Sequence, residues 1–258
     1  MKDTKDNINN KENEHTFKTI EAKPVTLKDN YDYFGKKWYF RLFTPIAVFF
    51  IKIFVRFLWA PIMWGFRVKN KKTLKPLKKK GHVFVSNHLH PFDAFLTGTV
   101  LFPKRAYYTM LQSNLGIPVV GKIMRFLGGA PIPVNRAHLP EFQKQMNDAL
   151  ARKAFVGVYP ESALKPYHSG IRNFKKGAFR FALDSNVDII PMVFILKKPT
   201  GIYKLFKRKP LLHLHILPVY KMDSKGTRYE TISYHTENLQ KMMSDYYNEH
   251  SDVAVKES

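Results

Sequence analysis

Within the stretch 83–93, Val-Phe-Val-Ser-Asn-His-Leu-His-Pro-Phe-Asp, a histidine and a carboxylate stand five residues apart. An imidazole with one nitrogen held by a carboxylate keeps the other free to take a proton from a hydroxyl, which is general-base chemistry. On an unbroken helix, at about 100° per residue, His88 and Asp93 would lie roughly 140° apart. They meet only if His88 sits in a loop and Asp93 in the first turn of the helix that follows. Pro91 favours that arrangement, because proline is tolerated at the first helical position and disfavours helix just before it. Other readings of the same residues stay open. Asp93 could be a first-turn acid favoured by the helix dipole, His88 an ordinary loop histidine, or His88, His90 and Asp93 metal ligands.

Three further stretches place chemical groups at the ends of apolar runs. Gly128-Gly129-Ala130-Pro131-Ile132-Pro133-Val134-Asn135-Arg136 ends on an arginine, whose planar fork suits a phosphate. Val158-Tyr159-Pro160-Glu161-Ser162 ends on a glutamate that could bond an acceptor hydroxyl or simply cap a turn. Phe174-Lys175-Lys176-Gly177 opens a helix with two cations that could meet a phosphate or face solvent. His213 and His215 alternate along an apolar strand, as ligands might, although a half-buried strand explains them equally well.

These groups need a scaffold, and the hydropathy pattern supplies one. From His82 onward, short apolar runs alternate with helical stretches. Strands are expected at Val83–Val85, Ala106–Thr109, Ala130–Val134, Val156–Tyr159, Asp188–Leu196 and Leu211–Val219. Helices are expected at about Pro91–Leu101, Ile117–Phe126, Glu141–Lys153, Gly177–Ser185 and Thr231–Glu249. This is an α/β layout, a mixed sheet flanked by helices. Glycine-rich phosphate loops are absent, so nucleotide-triphosphate chemistry has no support.

The 258 residues contain no cysteine, which excludes disulfides, thiolate–zinc sites and a cysteine nucleophile. Charge is uneven. Residues 1–30 balance six Lys against six acids, whereas residues 31–136 carry 18 Lys or Arg against only Asp32 and Asp93. Such a field favours anionic partners: nucleic acid, an acidic leaflet or phosphorylated substrates. Residues 1–35 read as a polar, disordered tail. Residues 36–68 hold a dense aromatic segment, Trp38–Phe66, whose uncharged runs are ten residues long, against the ~20 a spanning helix needs. We read it as monotopic membrane-anchor helices rather than buried core helices or one tilted span. The basic run Arg67–Lys80 then reads as a juxtamembrane patch or a solvated linker, leaving 69–258 as the catalytic domain.

The order and spacing of these stretches resemble the glycerolipid acyltransferase family, which includes the lysophosphatidic acid acyltransferases. Asn87-His88 through Asp93 match its Asn-His-x4-Asp motif, and Gly129 through Arg136 match its second motif. Tyr159-Pro160-Glu161-Ser162-Ala163-Leu164 match the third, Phe-Pro-Glu-Gly-Thr-Arg, only in part. Phe174–Phe179 and Ile190–Val193 complete the set. The resemblance implies a glycerolipid-acyltransferase-like fold in which His88, held by Asp93, deprotonates the acceptor. It also implies a substrate-binding set of Asn87, Gly129, Arg136, Pro160, Glu161 and Lys175. The co-substrate would be an acyl thioester, of coenzyme A or acyl carrier protein, with no resident cofactor and no metal. The acceptor would be a lysophospholipid, most simply lysophosphatidic acid. Anionic membrane lipids would be the partner and nucleic acid would not. The expected place is the cytoplasmic face of the cell membrane, monotopic or peripheral. Ser162, Ala163 and Leu164 replace a glycine that suits special backbone and an arginine that would meet phosphate. A non-enzymatic basic protein binding nucleic acid or anionic membrane, and a metallohydrolase using His88, His90, Asp93, His213 and His215, are the competing readings.

Overall fold

The computed structural model describes residues 22–35 and 48–255. The expected tail over 1–21 and the first part of the expected anchor, 36–47, lie outside the described residues.

Among the described residues, seven strands form one sheet in the order β1-β7-β6-β2-β5-β3-β4. The strands are β1 (Arg67–Lys69), β2 (His82–Ser86), β3 (Ala106–Leu111), β4 (Gly129–Ile132), β5 (Phe155–Val158), β6 (Ile189–Lys197) and β7 (Leu211–Ile216). β6, β2, β5, β3 and β4 run parallel, while β7 returns antiparallel to β6 and carries β1 alongside it. The sheet is therefore mixed, as the sequence pattern implied. Parallel strands are covered by helices on both faces and so read as unbroken apolar runs. β2 and β5 are buried at every position.

The helices are α1 (Ala60–Trp64), α2 (Asp93–Leu101), α3 (Val120–Phe126), α4 (Leu139–Ala151), α5 (Gly177–Asp184), α6 (Tyr203–Phe206) and α7 (Arg228–His250). On one sheet face, Phe142 and Met146 of α4, Phe179 of α5 and Leu239 and Met243 of α7 pack on Val83, Val85, Val156 and Val193. On the other, Leu96 and Val100 of α2 join Phe84, Phe194, Leu214 and Ala60. Two alternating sets of strand residues thus feed two separate cores.

Several expectations need correction. Residues 22–35 are not a loose tail. Tyr33 and Phe34 are fully buried beside Phe142 and Tyr107, and the Tyr33 amide donates to Gln145 Oε1 at 3.0 Å. Two aromatic residues in a polar stretch have no periodicity to announce them. The basic run is not wholly a linker, since Arg67–Lys69 forms edge strand β1 and short 3-10 turns follow at Lys71–Leu74 and Pro76–Lys79. One apolar residue between two cations gives no strand signal, and β7 supplies the partner. α2 begins at Asp93 rather than Pro91, because residues 90–93 close a turn in which the Asp93 amide donates to the His90 carbonyl at 3.0 Å. α7 begins three residues earlier than expected. Thr227 and Glu230 form a reciprocal capping box, which satisfies otherwise orphaned amides.

His213 and His215 lie on β7, opposite Ile195 and Val193, against Tyr246 and His250 of α7. That is the sheet face remote from α2, so they do not converge with His88. Burial pushes both imidazoles down to about 4 from 6.5, with neighbouring cationic or imidazole groups adding to the effect. The folded protein therefore keeps these rings neutral where the unfolded chain would bind protons. The associated stability is complete above about pH 6.5 and is lost as pH falls toward 4. His215→Gln is expected to lose less of its thermal midpoint than the parent between neutral pH and about pH 4.5, by roughly 3 °C. Thermal unfolding at the two pH values checks this, and equal losses would contradict it.

Candidate active site

β2 delivers the loop 87–92 to the carboxyl edge of the parallel strands, where ligands of open α/β sheets gather. At the end of β2, Asn87 turns inward. Its amide donates to the Phe194 carbonyl at 3.0 Å and accepts from the Phe194 amide at 2.8 Å. This closes a small ring between β2 and β6, so Asn87 fixes the point at which the chain leaves the sheet.

The chain then turns, and His88 comes back to Asp93. His88 Nδ1 lies 3.1 Å from Asp93 Oδ2, with the imidazole partly exposed and the carboxylate fully buried. The same oxygen accepts the Leu89 amide at 2.7 Å and the His90 amide at 2.8 Å. One carboxylate oxygen therefore orients the imidazole and folds the loop that carries it. Asp93 is a first-turn acid, and its partners are the loop and His88. A proton on Nδ1 leaves the Nε2 lone pair for a hydroxyl. His90 Nδ1 meanwhile accepts the Phe92 amide at 3.2 Å. Among the described residues, no group of three or more His, Cys, Asp or Glu side chains is arranged to hold a metal ion.

The segment after β5 braces this loop from below. Glu161 Oε2 accepts the His88 amide at 3.2 Å and Arg172 Nη2 at 2.8 Å, while Oε1 accepts the Arg172 amide at 3.1 Å. Arg172 Nε also donates to Oε2, and its Nη2 reaches the Ala163 carbonyl. Burial pushes the Glu161 carboxyl up, and the Arg172 guanidinium and two backbone amides oppose that shift. Glu161, a substrate-binding residue by the resemblance, has both oxygens engaged, by the His88 amide and by Arg172. Further along, the Lys165 amide donates to the His88 carbonyl and the Tyr167 amide to the Leu89 carbonyl.

Ser162 shows how the chain copes without the third-motif glycine. Its φ is +65°, so the left-handed backbone persists with a side chain that disfavours it. Ser162→Gly is expected to stabilise the fold by about 1 kcal/mol, seen as a rise of about 3 °C in the thermal midpoint. An unchanged or lower midpoint would show that the position is not strained. Leu164, in place of the motif's arginine, is buried.

The other expected site residues are dispersed: Gly129 sits at the amino end of β4, whereas Pro160 and Arg136 follow the carboxyl ends of β5 and β4. Gly129 begins β4, where an added Cβ would meet Met110 Sδ and the Met124 carbonyl at 2.8 Å. Pro160 is buried and its carbonyl accepts the Lys175 amide at 2.8 Å. The Lys175 side chain is exposed, and so is Arg136, which starts a 3-10 turn. Arg136 follows β4, three strands from β2, a lateral distance of roughly 14 Å. The structure thus brings His88, Asp93 and Glu161 together, engages Asn87 and Pro160 in contacts with backbone, and leaves Arg136 and Lys175 exposed.

Sequence reasoning missed Arg172, whose partner lies eleven residues back with no periodic relation to it. It also missed two aromatic contacts. The Tyr159 ring lies 4.6 Å from the His88 ring, tilted by 37°, with its hydroxyl 3.3 Å from Thr97 Oγ1. Trp64, at the end of α1, lies 4.8 Å from His90 and 5.2 Å from Phe92. The cluster of Trp64, His90 and Phe92 ties the aromatic segment to the catalytic loop.

Known proteins resemble this chain in sequence and in fold. The 1-acyl-sn-glycerol-3-phosphate acyltransferase of Saccharomyces cerevisiae is 27% identical over 121 residues, 45% of this chain and 39% of the yeast protein. The chain therefore matches well under half the length of that relative. The crystal structure of the 1-acyl-sn-glycerophosphate (LPA) acyltransferase from Thermotoga maritima superposes with a TM-score of 0.54 at 18% identity. That match covers 79% of this chain and 81% of the other, and it establishes a shared fold. The family model described as Acyltransferase matches residues 65–195, from just before β1 through most of β6 and including the whole His88–Asp93–Glu161 cluster, so the chain belongs to the acyltransferase family.

Proposed function

We propose that the protein moves a fatty acyl chain from an acyl thioester to the free hydroxyl of lysophosphatidic acid, in membrane phospholipid synthesis. The observation that carries this reading is the imidazole of His88, oriented through Nδ1 by buried Asp93 and partly open to solvent. His88 Nε2 takes the acceptor's hydroxyl proton and the oxygen attacks the thioester carbonyl carbon. The carbon–sulfur bond breaks, and the imidazolium returns its proton to the thiolate. The products are the acylated phospholipid and a free thiol. Asp93 stabilises the transient imidazolium. Glu161 and Arg172 hold the His88 backbone still while charge develops. Arg136 and Lys175 are the cations at the site rim suited to the acceptor's phosphate. Coenzyme A or acyl carrier protein is the donor carrier.

The same reading puts the enzyme at the cytoplasmic face of the cell membrane as a monotopic or peripheral protein. Among the described residues, no helix is long and apolar enough to cross a membrane. Residues 48–64 are helical, with a π-helical turn at Val55–Trp59, and expose Phe50, Phe54, Phe57, Leu58 and Ile62. Such a face suits the boundary between headgroups and acyl chains, and the basic surplus suits anionic lipid. Lys52 is buried in the opposite side of this segment, and desolvation pushes its amine down to about 8.

The test is transfer of a labelled acyl thioester to a panel of lysophosphatidic acid, glycerol 3-phosphate and neutral lysolipids by detergent-extracted protein. Lysophosphatidic acid is the expected preferred acceptor. Preference for another lysolipid would reassign the substrate, and no transfer by folded protein to any acceptor would overturn the reading.

A further inference from the structure

The β6–β7 connection carries a feature that acyl transfer itself does not use. Residues 198–210, Lys-Lys-Pro-Thr-Gly-Ile-Tyr-Lys-Leu-Phe-Lys-Arg-Lys-Pro when read from Lys197, contain no acid, and none occurs between Asp188 and Asp223. Helix α6 within it presents Leu205 at 85% exposure, flanked by Ile202 at 67% and Phe206 at 53%. One exposed leucine on a surface is ordinary. Three large apolar side chains on one short turn, ringed by Lys204, Arg208 and Lys209, form a patch of the kind that marks an interaction site.

Two contacts fix this turn to the aromatic segment. The Tyr203 hydroxyl donates to the Pro61 carbonyl at 2.8 Å, and Lys207 Nζ donates to the Met63 carbonyl at 2.7 Å. The apolar tip therefore continues the exposed face of residues 48–64. The turn is also next to the chemistry. β6 runs parallel to β2 as its neighbour, so their carboxyl ends share the edge that carries His88. Lys209 Nζ lies 5.2 Å from the Tyr167 ring, whose amide bonds the catalytic loop.

We infer that the β6–β7 turn is a second docking element for an anionic bilayer: Ile202, Leu205 and Phe206 enter the acyl boundary while Lys204, Arg208 and Lys209 meet lipid phosphates. Cations beside an apolar tip, in a stretch of sequence without an acid, complement an anionic interface on both counts; Asp252 meets only the start of the connection, at Lys197 and Lys198. With this turn extending the exposed face of residues 48–64, the edge that carries His88 is held against the surface in which the acceptor dissolves. The inference rests on the membrane-surface reading above and extends it to a different part of the chain.

The lack of cysteine allows a direct test. Full-length Leu205→Cys carries an environment-sensitive fluorophore, and Lys241→Cys on exposed α7 carries the same dye as a control. Vesicles of phosphatidylcholine with phosphatidylglycerol should shift the label at 205 to the blue, phosphatidylcholine alone should shift it less, and the label at 241 should not respond. In unlabelled protein, Leu205→Asp with Phe206→Asp should weaken vesicle sedimentation about tenfold or more. Transfer to a short-chain, water-soluble acceptor should persist in that variant and report that it folds. An unshifted label at 205 on protein that does sediment with anionic vesicles would overturn the inference alone. Protein that sediments with no vesicle would overturn it together with the membrane reading. A shifted label without transfer to any acceptor would leave the docking element standing and remove the proposed reaction.

Discussion

Acyl transfer by His88→Ala is expected to fall about a thousandfold, with the fold retained, because the variant loses the proton acceptor and little packing. The His88 side chain is partly exposed, and its backbone contacts to Glu161 and Lys165 do not depend on the ring. Asp93→Asn should fall less, by about a hundredfold. An amide oxygen in the position of Oδ2 can still accept the Leu89 and His90 amides, but it offers no charge to the imidazolium. Asp93→Ala removes the acceptor for three donors at once and should also lower the thermal midpoint. Initial rates with a labelled thioester, beside a thermal scan of each variant, separate the two effects. Undiminished transfer by His88→Ala would remove the general-base role.

Arg172→Ala should produce the largest loss of stability, about 3–5 kcal/mol, or roughly 10 °C in thermal midpoint. The reason is what remains behind. Glu161 is buried, the pair is shielded from water, and deleting the guanidinium strands a carboxylate with only two amides for company. Burial already pushes the Glu161 carboxyl up while Arg172 opposes it, so removing Arg172 pushes it further. The sign of the pH dependence follows. At high pH the stranded group is charged and costly; as pH falls it takes a proton and the deficit shrinks. The gap between variant and parent should therefore be wider near pH 8 than near pH 5. A gap independent of pH would mean that the loss comes from packing alone. Because Glu161 holds the His88 amide, transfer should also fall in temperature ranges where the variant remains folded.

The His88–Asp93 contact was legible from the sequence because it is local. Five residues, a proline and a strand–helix boundary constrain His88 and Asp93 enough to predict that they meet, and they do. The same holds for β2, β3, β5 and β6 and for helices α4 and α5, whose apolar periodicity is written into consecutive residues. The cationic character of the first half and the resemblance in motif order were likewise plain. Other features needed the tertiary structure, because their partners are distant in sequence. Asn87 joins β2 to β6 through Phe194, 107 positions away, a contact the sequence does not announce. Glu161 links the His88 amide to Arg172, which only the closed chain brings together. Tyr33 and Phe34 sat in a polar stretch and pack into the core, and β1 exists because β7 offers it an edge. A sequence determines the chemistry a residue can perform and the periodicity of its own element. Which buried charge faces which amide depends on how elements stack, and that is decided only when the chain closes on itself.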